Sequence, residues 1–302
     1  MGSVQYWSNT QIFPRQSEVT MPNSILSEDL QLAAILKLVD SYIEQKHASK
    51  QWHAGKDWVQ YAGPYYTSEE YVRAVKTLVN EWLVLGDEAI AFENRFPPLL
   101  GKKHGIITNS GSSANLLMML ALTSKRGYNL PKESGVIGPI AGFPTTVNPI
   151  FQTGLKPIFV DIELDTLNLS IDQLEKEASN AKALIFAHAL GNPPELDRVM
   201  DIVKNNKLIL MEDCCDALGS KYNDTPLGSF GSMASVSFYP AHHITLGEGG
   251  FVATATHELE MVVRSFREWG RGCYCVGKAA NLLKNGTCKC RFNTWIPTLP
   301  NE

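Results

Sequence analysis

The stretch 183–219, ALIFAHALGNPPELDRVMDIVKNNKLILMEDCCDALG, decides the fold. Residues 183–187 are apolar throughout and give way to Gly191, Asn192, Pro193 and Pro194. A short unbroken apolar run bounded by turn residues reads as a strand buried on both faces. Residues 195–205 then read as a helix, and 208–212 as a second buried strand. Strand, helix and strand, with both strands apolar on each face, is the pattern of a parallel sheet covered by helices on both sides.

The same alternation extends in both directions. Upstream, strands are expected at 105–109, 135–140 and 157–161, with helices at 112–124, 144–152 and 171–178. Downstream, the apolar runs 233–238 and 251–255 read as strands around an irregular loop, followed by a helix over 257–270. The fold class is α/β. Before residue 100 the chain is helical instead. Ser27 can cap a helix over 28–45 with Leu32, Ile35, Leu36, Val39, Tyr42 and Ile43 on one face. A second helix follows Thr67, with Tyr71, Val75, Leu78 and Trp82 as its stripe, and a third covers 88–100. The expected division is a poorly ordered lead-in (1–25), an N-terminal helical segment (26–100), a large domain (101–270) and a cysteine-containing segment (271–302).

Composition narrows the function classes. A chain of 302 residues can bury one large core, or one large and one small domain. Its net charge of −4 leaves no basic footprint, which argues against a nucleic-acid partner. No apolar run approaches bilayer length, so no membrane partner is expected, and residues 1–15 lack a basic-then-apolar leader pattern. The expectation is a cytoplasmic protein.

Several stretches carry residues able to do chemistry. In 237–250, SFYPAHHITLGEGG, the adjacent His242 and His243 can be general bases, metal ligands or members of a polar turn. In 109–115, NSGSSAN, Gly111 permits a tight turn between strand and helix. The exposed amides at the helix start favour a phosphate, with the Ser112 and Ser113 hydroxyls as further donors; simple helix capping accounts for the same residues. In 142–149, GFPTTVNP, Phe143 ends a strand, where a flat ring can stack on a heteroaromatic ring or simply join the core. Asp213 and Asp216 lie at the strand end of 211–219, where ligands of open α/β sheets gather. A carboxylate buried there needs a cationic partner. The six cysteines, Cys214, Cys215, Cys273, Cys275, Cys288 and Cys290, cluster as a metal or redox group would. Thiolates select zinc or iron–sulfur clusters, and two Cys-x-Cys pairs are a poor match to zinc knuckles.

The 237–250 loop also resembles the lysine loop of the sugar aminotransferases, pyridoxal-phosphate enzymes acting on nucleotide-linked keto sugars. In that pattern a Ser-Phe pair is followed by three residues, the Schiff-base lysine and a Gly-Glu-Gly-Gly run. Here the lysine slot holds His242, and no lysine occurs between Lys221 and Lys278. This departure marks the sugar 3-dehydratases, which share the fold but leave the cofactor unattached. The resemblance implies a type I PLP-dependent transferase-like large domain binding PMP/PLP. It implies phosphate donors at Gly111, Ser112, Ser113 and Ser237, and Phe143 over the pyridine ring. Asp213 would face the ring nitrogen and Asp216 the ring hydroxyl, with His242 as general base. His188, Asn192 and His243 would be substrate contacts or their supports.

The cysteine pattern, with Trp269-Gly270-Arg271 and Arg291-Phe292, resembles one subgroup, the CDP-4-keto-6-deoxyglucose 3-dehydrases. That implies a [2Fe-2S] cluster on Cys215, Cys273, Cys275 and Cys288, with Cys290 able to replace Cys288. The implied activity is C3 deoxygenation of a nucleotide-linked 4-keto-6-deoxyhexose, a CDP-sugar in the first instance, in lipopolysaccharide O-antigen biosynthesis. An NADH-dependent flavin/iron–sulfur reductase would supply electrons, and the enzyme would be a homodimer. Two other readings are a cluster-free 3-dehydratase using glutamate and a non-catalytic shortened homologue that binds a full-length partner. Family members continue past the region of Pro300 into a smaller C-terminal domain, so the resemblance implies that most of this domain is missing here.

Overall fold

The computed structural model describes residues 27–81 and 83–270. The expected lead-in 1–25, Trp82, Arg271, Arg291-Phe292 and the cysteines Cys273, Cys275, Cys288 and Cys290 lie outside the described residues. The described chain forms two compact units, one from 27–51 with 67–76 and the other from 52–66 with 77–270.

Helix α1 (Glu28–Ala48) belongs to the smaller unit. Acidic Glu28 and Asp29 in its first turn and basic Lys46 and His47 in its last oppose the helix dipole favourably. Ser27 precedes it but makes no side-chain capping bond. Ile43 is buried and Leu32, Leu36 and Val39 are half-buried, whereas Ile35 and Tyr42 are exposed. The expected broad face is therefore a narrow stripe. Helix α2 (Ser68–Val79) begins with a cap in which Thr67 donates from N and Oγ1 to Glu70 Oε2 at 2.7 and 2.5 Å and its Oγ1 accepts from Glu69 N at 3.3 Å. The bonds from Thr67 lower the Glu70 pKa.

The larger unit is built on seven strands: β1 (His104–Thr108), β2 (Gly135–Pro139), β3 (Lys156–Val160), β4 (Ala183–Ala187), β5 (Ile209–Asp213), β8 (Met233–Ser237) and β9 (Gly250–Thr254). Between β5 and β8, a hairpin of β6 (Lys221–Tyr222) and β7 (Thr225–Pro226) stands apart from the sheet. Its tip, Asn223 and Asp224, has two positive φ angles, as a tight hairpin turn requires. The sheet order is β1-β9-β8-β5-β4-β2-β3. The pairings β8–β5, β5–β4, β4–β2 and β2–β3 are parallel, and β9 alone runs antiparallel to its neighbours β1 and β8. The connecting helices are α3 (Asp87–Arg95), α4 (Gly111–Thr123), α5 (Pro144–Gln152), α6 (Ile171–Glu177), α7 (Leu196–Asn206) and α8 (His257–Arg267).

Alternation along each buried strand feeds two cores. Ile137, Leu184, Leu210, Val236 and Phe251 face one, shared with α6 and α7; Val136, Ile185, Met211, Met233 and Val252 face the other, shared with α4 and α8. Helices thus cover both faces of a mostly parallel sheet. The expected 88–100 helix stops at Arg95, and a 3-10 turn (Pro97–Leu100) replaces its end, because prolines lack the amide a helix needs. Phe92, Phe96 and Leu100 pack into the sheet core, so the chain from 77 onward belongs with the larger unit and not with the N-terminal helical segment expected over 26–100.

Candidate functional site

Strands β1, β4, β5 and β8 run in the same direction, so their carboxyl ends share one edge of the sheet. Asp213 ends β5, Ser237 ends β8, His188 follows β4, and the turn into α4 follows β1. Ligands of open α/β sheets collect at this edge.

The β1–α4 turn presents free donors. Ser110 caps α4, its Oγ accepting from Ser113 N at 3.1 Å, while its carbonyl accepts from Ala114 N at 3.0 Å. The amides of Gly111 and Ser112 remain as donors the helix does not use. Ser112 Oγ donates to Thr145 Oγ1 at 3.0 Å, tying this turn to α5. A Cβ at Gly111 would lie 2.6 Å from Ser237 Cβ and 2.9 Å from Cys215 Sγ. Only glycine lets the helix start approach the end of β8 so closely, and this brings two sets of anion donors together.

Asp213 is buried. Its Oδ2 accepts from Asn115 Nδ2 and Thr146 Oγ1, both at 2.8 Å, and its Oδ1 accepts from Cys215 N at 3.1 Å. Ser235 Oγ donates to Asn115 Oδ1 at 2.6 Å, which fixes the amide. Among the described residues the Asp213 carboxylate has neutral donors and no salt-bridge partner. A protonated ring nitrogen suits such a carboxylate. Together with the phosphate cradle, this donor set fits pyridoxal or pyridoxamine phosphate.

His242 lies half-buried in the loop between β8 and β9, and its Nδ1 is 3.0 Å from Asp216 Oδ1. The Tyr239 ring packs edge-on at 6.2 Å. Asp216, expected beside a ring hydroxyl, is thus joined to the expected base. His243 is exposed, and so is Phe143, which precedes α5 with 67% of its surface accessible. Tyr66 reaches the loop, its hydroxyl donating to the Thr245 carbonyl at 3.2 Å.

His188, expected as a substrate contact or its support, is buried with 1% of its surface accessible, which suits the supporting place. Its Nε2 lies 3.0 Å from Glu212 Oε2 and its amide donates to the Asp213 carbonyl at 3.1 Å. Its influence on the site passes through the Asp213 backbone. Glu212 also accepts from Gly228 N and Gly231 N at 2.8 and 2.6 Å. Lys102 donates to the Ser229 and Gly231 carbonyls at 2.7 and 2.6 Å, and burial lowers its pKa despite the nearby Glu212. Asn192 donates to the Thr166 carbonyl at 3.3 Å, a tie to a neighbouring turn. Of the adjacent cysteines, Cys214 is fully buried in the core, while Cys215 is partly accessible beside Gly111. Burial raises the pKa of both thiols, and the charges of Glu212 and Asp213 at Cys214, and of Asp213 at Cys215, raise them further.

Asn115, Thr146 and Glu212 were not singled out from the sequence. The available signal for two of them was a polar residue beside an apolar run: Asn115 precedes the apolar run 116–122 and Glu212 follows the apolar run 208–211.

With this geometry, the fold and site define a PLP-dependent aminotransferase-like protein. The DegT/DnrJ/EryC1/StrS aminotransferase family model matches residues 64–282, and the chain belongs to that family. It is 42% identical over 269 residues to the lipopolysaccharide biosynthesis protein RfbH of Salmonella typhimurium, covering 88% of this chain and 60% of that protein. It is 39% identical over 269 residues to dTDP-4-dehydro-2,6-dideoxy-D-glucose 3-dehydratase of Saccharopolyspora spinosa, covering 88% of this chain and 57% of that one. Among solved structures, Escherichia coli GDP-4-keto-6-deoxy-D-mannose-3-dehydratase with bound hydrated PLP superposes with a TM-score of 0.66 at 32% identity, covering 68% of this chain and 53% of that one. The chain therefore spans little more than half the length of these relatives. No helix among the described residues is long and apolar enough to cross a membrane.

Proposed function

We propose that this chain carries the cofactor-binding part of a PMP-dependent 3-dehydratase acting on a nucleotide-linked 4-keto-6-deoxyhexose. The observation that carries the reading is His242 in the slot where a transaminating relative has its lysine, held by Asp216. A histidine cannot anchor the cofactor covalently, but it can move a proton.

Bound pyridoxamine phosphate supplies an amine for the sugar ketone and a ring that accepts electrons. The chain's own residues do the rest. Gly111 and Ser112 amides, with the Ser113 and Ser237 hydroxyls, hold the phosphate. Phe143 covers a ring face. Asp213, oriented by Asn115 and Thr146, holds the proton on the ring nitrogen. Asp216 accepts from His242 Nδ1–H, which leaves Nε2 as the basic nitrogen. His242 Nε2 would be the group that takes a proton from the cofactor C4′ carbon and could deliver it to a departing C3 hydroxyl, which leaves as water. His243 and Asn192 border the substrate side.

The fuller assignment is to a CDP-sugar, to O-antigen dideoxyhexose formation and to a cytoplasmic homodimer. It includes a [2Fe-2S] cluster on Cys215, Cys273, Cys275 and Cys288, fed by an NADH-dependent flavin/iron–sulfur reductase. The cysteine spacing supports the cluster, and so does the location of Cys215 at the cofactor edge while Cys214 is buried in the core. A cluster-free, glutamate-dependent dehydratase is the second reading. It is favoured by the likeness to a GDP-4-keto-6-deoxymannose-3-dehydratase with a trapped PLP-glutamate geminal diamine, at 31% identity and a TM-score of 0.65 over 70% of this chain and 55% of that one.

Anaerobic purification, with a visible spectrum and quantified iron, sulfide and pyridoxamine phosphate, separates the two. Cofactor with a cluster spectrum supports the first reading. Cofactor without iron supports the second. Neither, in folded protein, removes both.

A further inference from the structure

We propose a divalent-metal site formed by His104, His257 and Glu260, separate from the candidate cofactor site. His104 opens β1 and His257 opens α8, immediately beyond the end of β9. The cofactor turn follows the other end of β1, so the three residues occupy the opposite edge of the sheet. Glu260 Oε2 lies 3.4 Å from His104 Nδ1 and 3.1 Å from His257 Nδ1. One ligand atom from each residue falls within 4.8 Å of the other two.

These separations suit a small ion. Zinc bonds of about 2.0–2.1 Å in a tetrahedron place neighbouring ligand atoms about 3.3 Å apart. Two imidazoles and one carboxylate supply three positions and leave a fourth for water. The frame is rigid. His104 pairs with Thr254 in the β1–β9 ladder, and two residues later Thr256 caps α8 by accepting from Leu259 N at 3.3 Å. His257 and Glu260, three residues apart, share a helix face. Arg264 Nη2 donates to Glu260 Oε1 at 2.6 Å, which orients the carboxylate and leaves Oε2 toward the histidines.

The His104 and His257 rings are 5.5 Å apart, with one Glu260 carboxylate oxygen within reach of both. The site is reachable, since the His257 side chain is 59% exposed and that of His104 32%.

The cysteines would also bind soft metals, so the probe must report its ligands. Metal-stripped protein is titrated with Co2+ and followed by absorption. Wild type is expected to show visible ligand-field bands without the near-ultraviolet thiolate charge-transfer band at the first, tightest step. His257→Gln and His104→Ala should each weaken that step by about tenfold or more, with thiolate-linked binding unchanged. His257→Gln alters an exposed side chain, so it tests the site even if His104→Ala does not fold. Absence of a nitrogen/oxygen-type step in wild type, or the same step in folded His257→Gln, overturns the proposal. Zn2+ displacing the cobalt step and raising the melting midpoint of wild type but not of His257→Gln would support it.

Discussion

At the scale of single residues, the proposed distinction from a transaminase rests most on the pairing of His242 with Asp216. An imidazole bonded through Nδ1 is fixed in tautomer and orientation, so its other nitrogen can accept a proton repeatedly. Asp216 is half-exposed, with 52% of its side chain accessible, so its effect is that of a positioner in a partly wet site. Asp216→Asn should slow solvent exchange of the pyridoxamine C4′ proton about 10- to 100-fold, less than the roughly 10²- to 10⁴-fold that a general base itself contributes, because Asp216 acts through His242. Exchange followed by NMR checks this, and an unchanged rate would detach Asp216 from the base. His242→Lys is the converse case. With the pocket intact, the new amine should form a covalent link to added pyridoxal phosphate, seen as a visible absorption band that borohydride removes. Folded protein lacking that band would place His242 away from the cofactor carbon.

At the scale of elements, close approaches build the site. The start of α4, the end of β8 and the loop after β5 meet at Gly111, where a methyl group would come within 3.2 Å of the Ser237 backbone. Gly111→Ala should therefore cost about 1–3 kcal/mol of stability, as overpacking does. It should also weaken phosphate-anchored cofactor binding more than it weakens the fold, which cofactor titration beside thermal unfolding would separate. A second junction lies under β1. Glu93 of α3 accepts from Ile107 N at 3.0 Å and from Arg267 at 2.6 Å, and pairs with Arg264 at 2.9 Å, all largely buried. Burial alone would lower the Arg264 pKa, but Glu93 and Glu260 together hold it above its ordinary value. Removing one member of such a network leaves charges buried and unpaired. Glu93→Ala should thus lose about 3–5 kcal/mol, measured by denaturant unfolding. A loss below about 1 kcal/mol would mean that the network is solvated like a surface pair.

At the scale of the whole molecule, the sheet was legible because its buried strands are largely apolar on both faces and most parallel crossovers are helices; the crossover from β5 to β8 carries the β6–β7 hairpin instead. Strand 183–187 and helix 144–152 have the expected bounds, and most other boundaries shift by a residue. The antiparallel direction of β9 was not legible. It depends on the short loop 238–249 returning to a neighbouring strand, and periodicity carries no direction. The site was half legible. Asp213, Gly111 and Ser237 stand in local motifs, but Asn115 and Thr146 act through contacts 98 and 67 residues away, which no local pattern encodes. All described groups proposed to hold the cofactor belong to the sheet-containing unit. Binding should therefore need only that unit, whatever turnover requires from a longer protein. Pyridoxamine phosphate at 100 times its dissociation constant should stabilise the chain by about 2.7 kcal/mol. For a unit of this size that raises the melting midpoint by roughly 5–10 °C. Asp213→Asn should remove most of the rise, because its amide would present a donor to Asn115, Thr146 or the ring nitrogen. A folded wild-type chain with no shift at saturating cofactor would mean that this cradle is not a cofactor site. An equal shift in Asp213→Asn would place the ring nitrogen elsewhere.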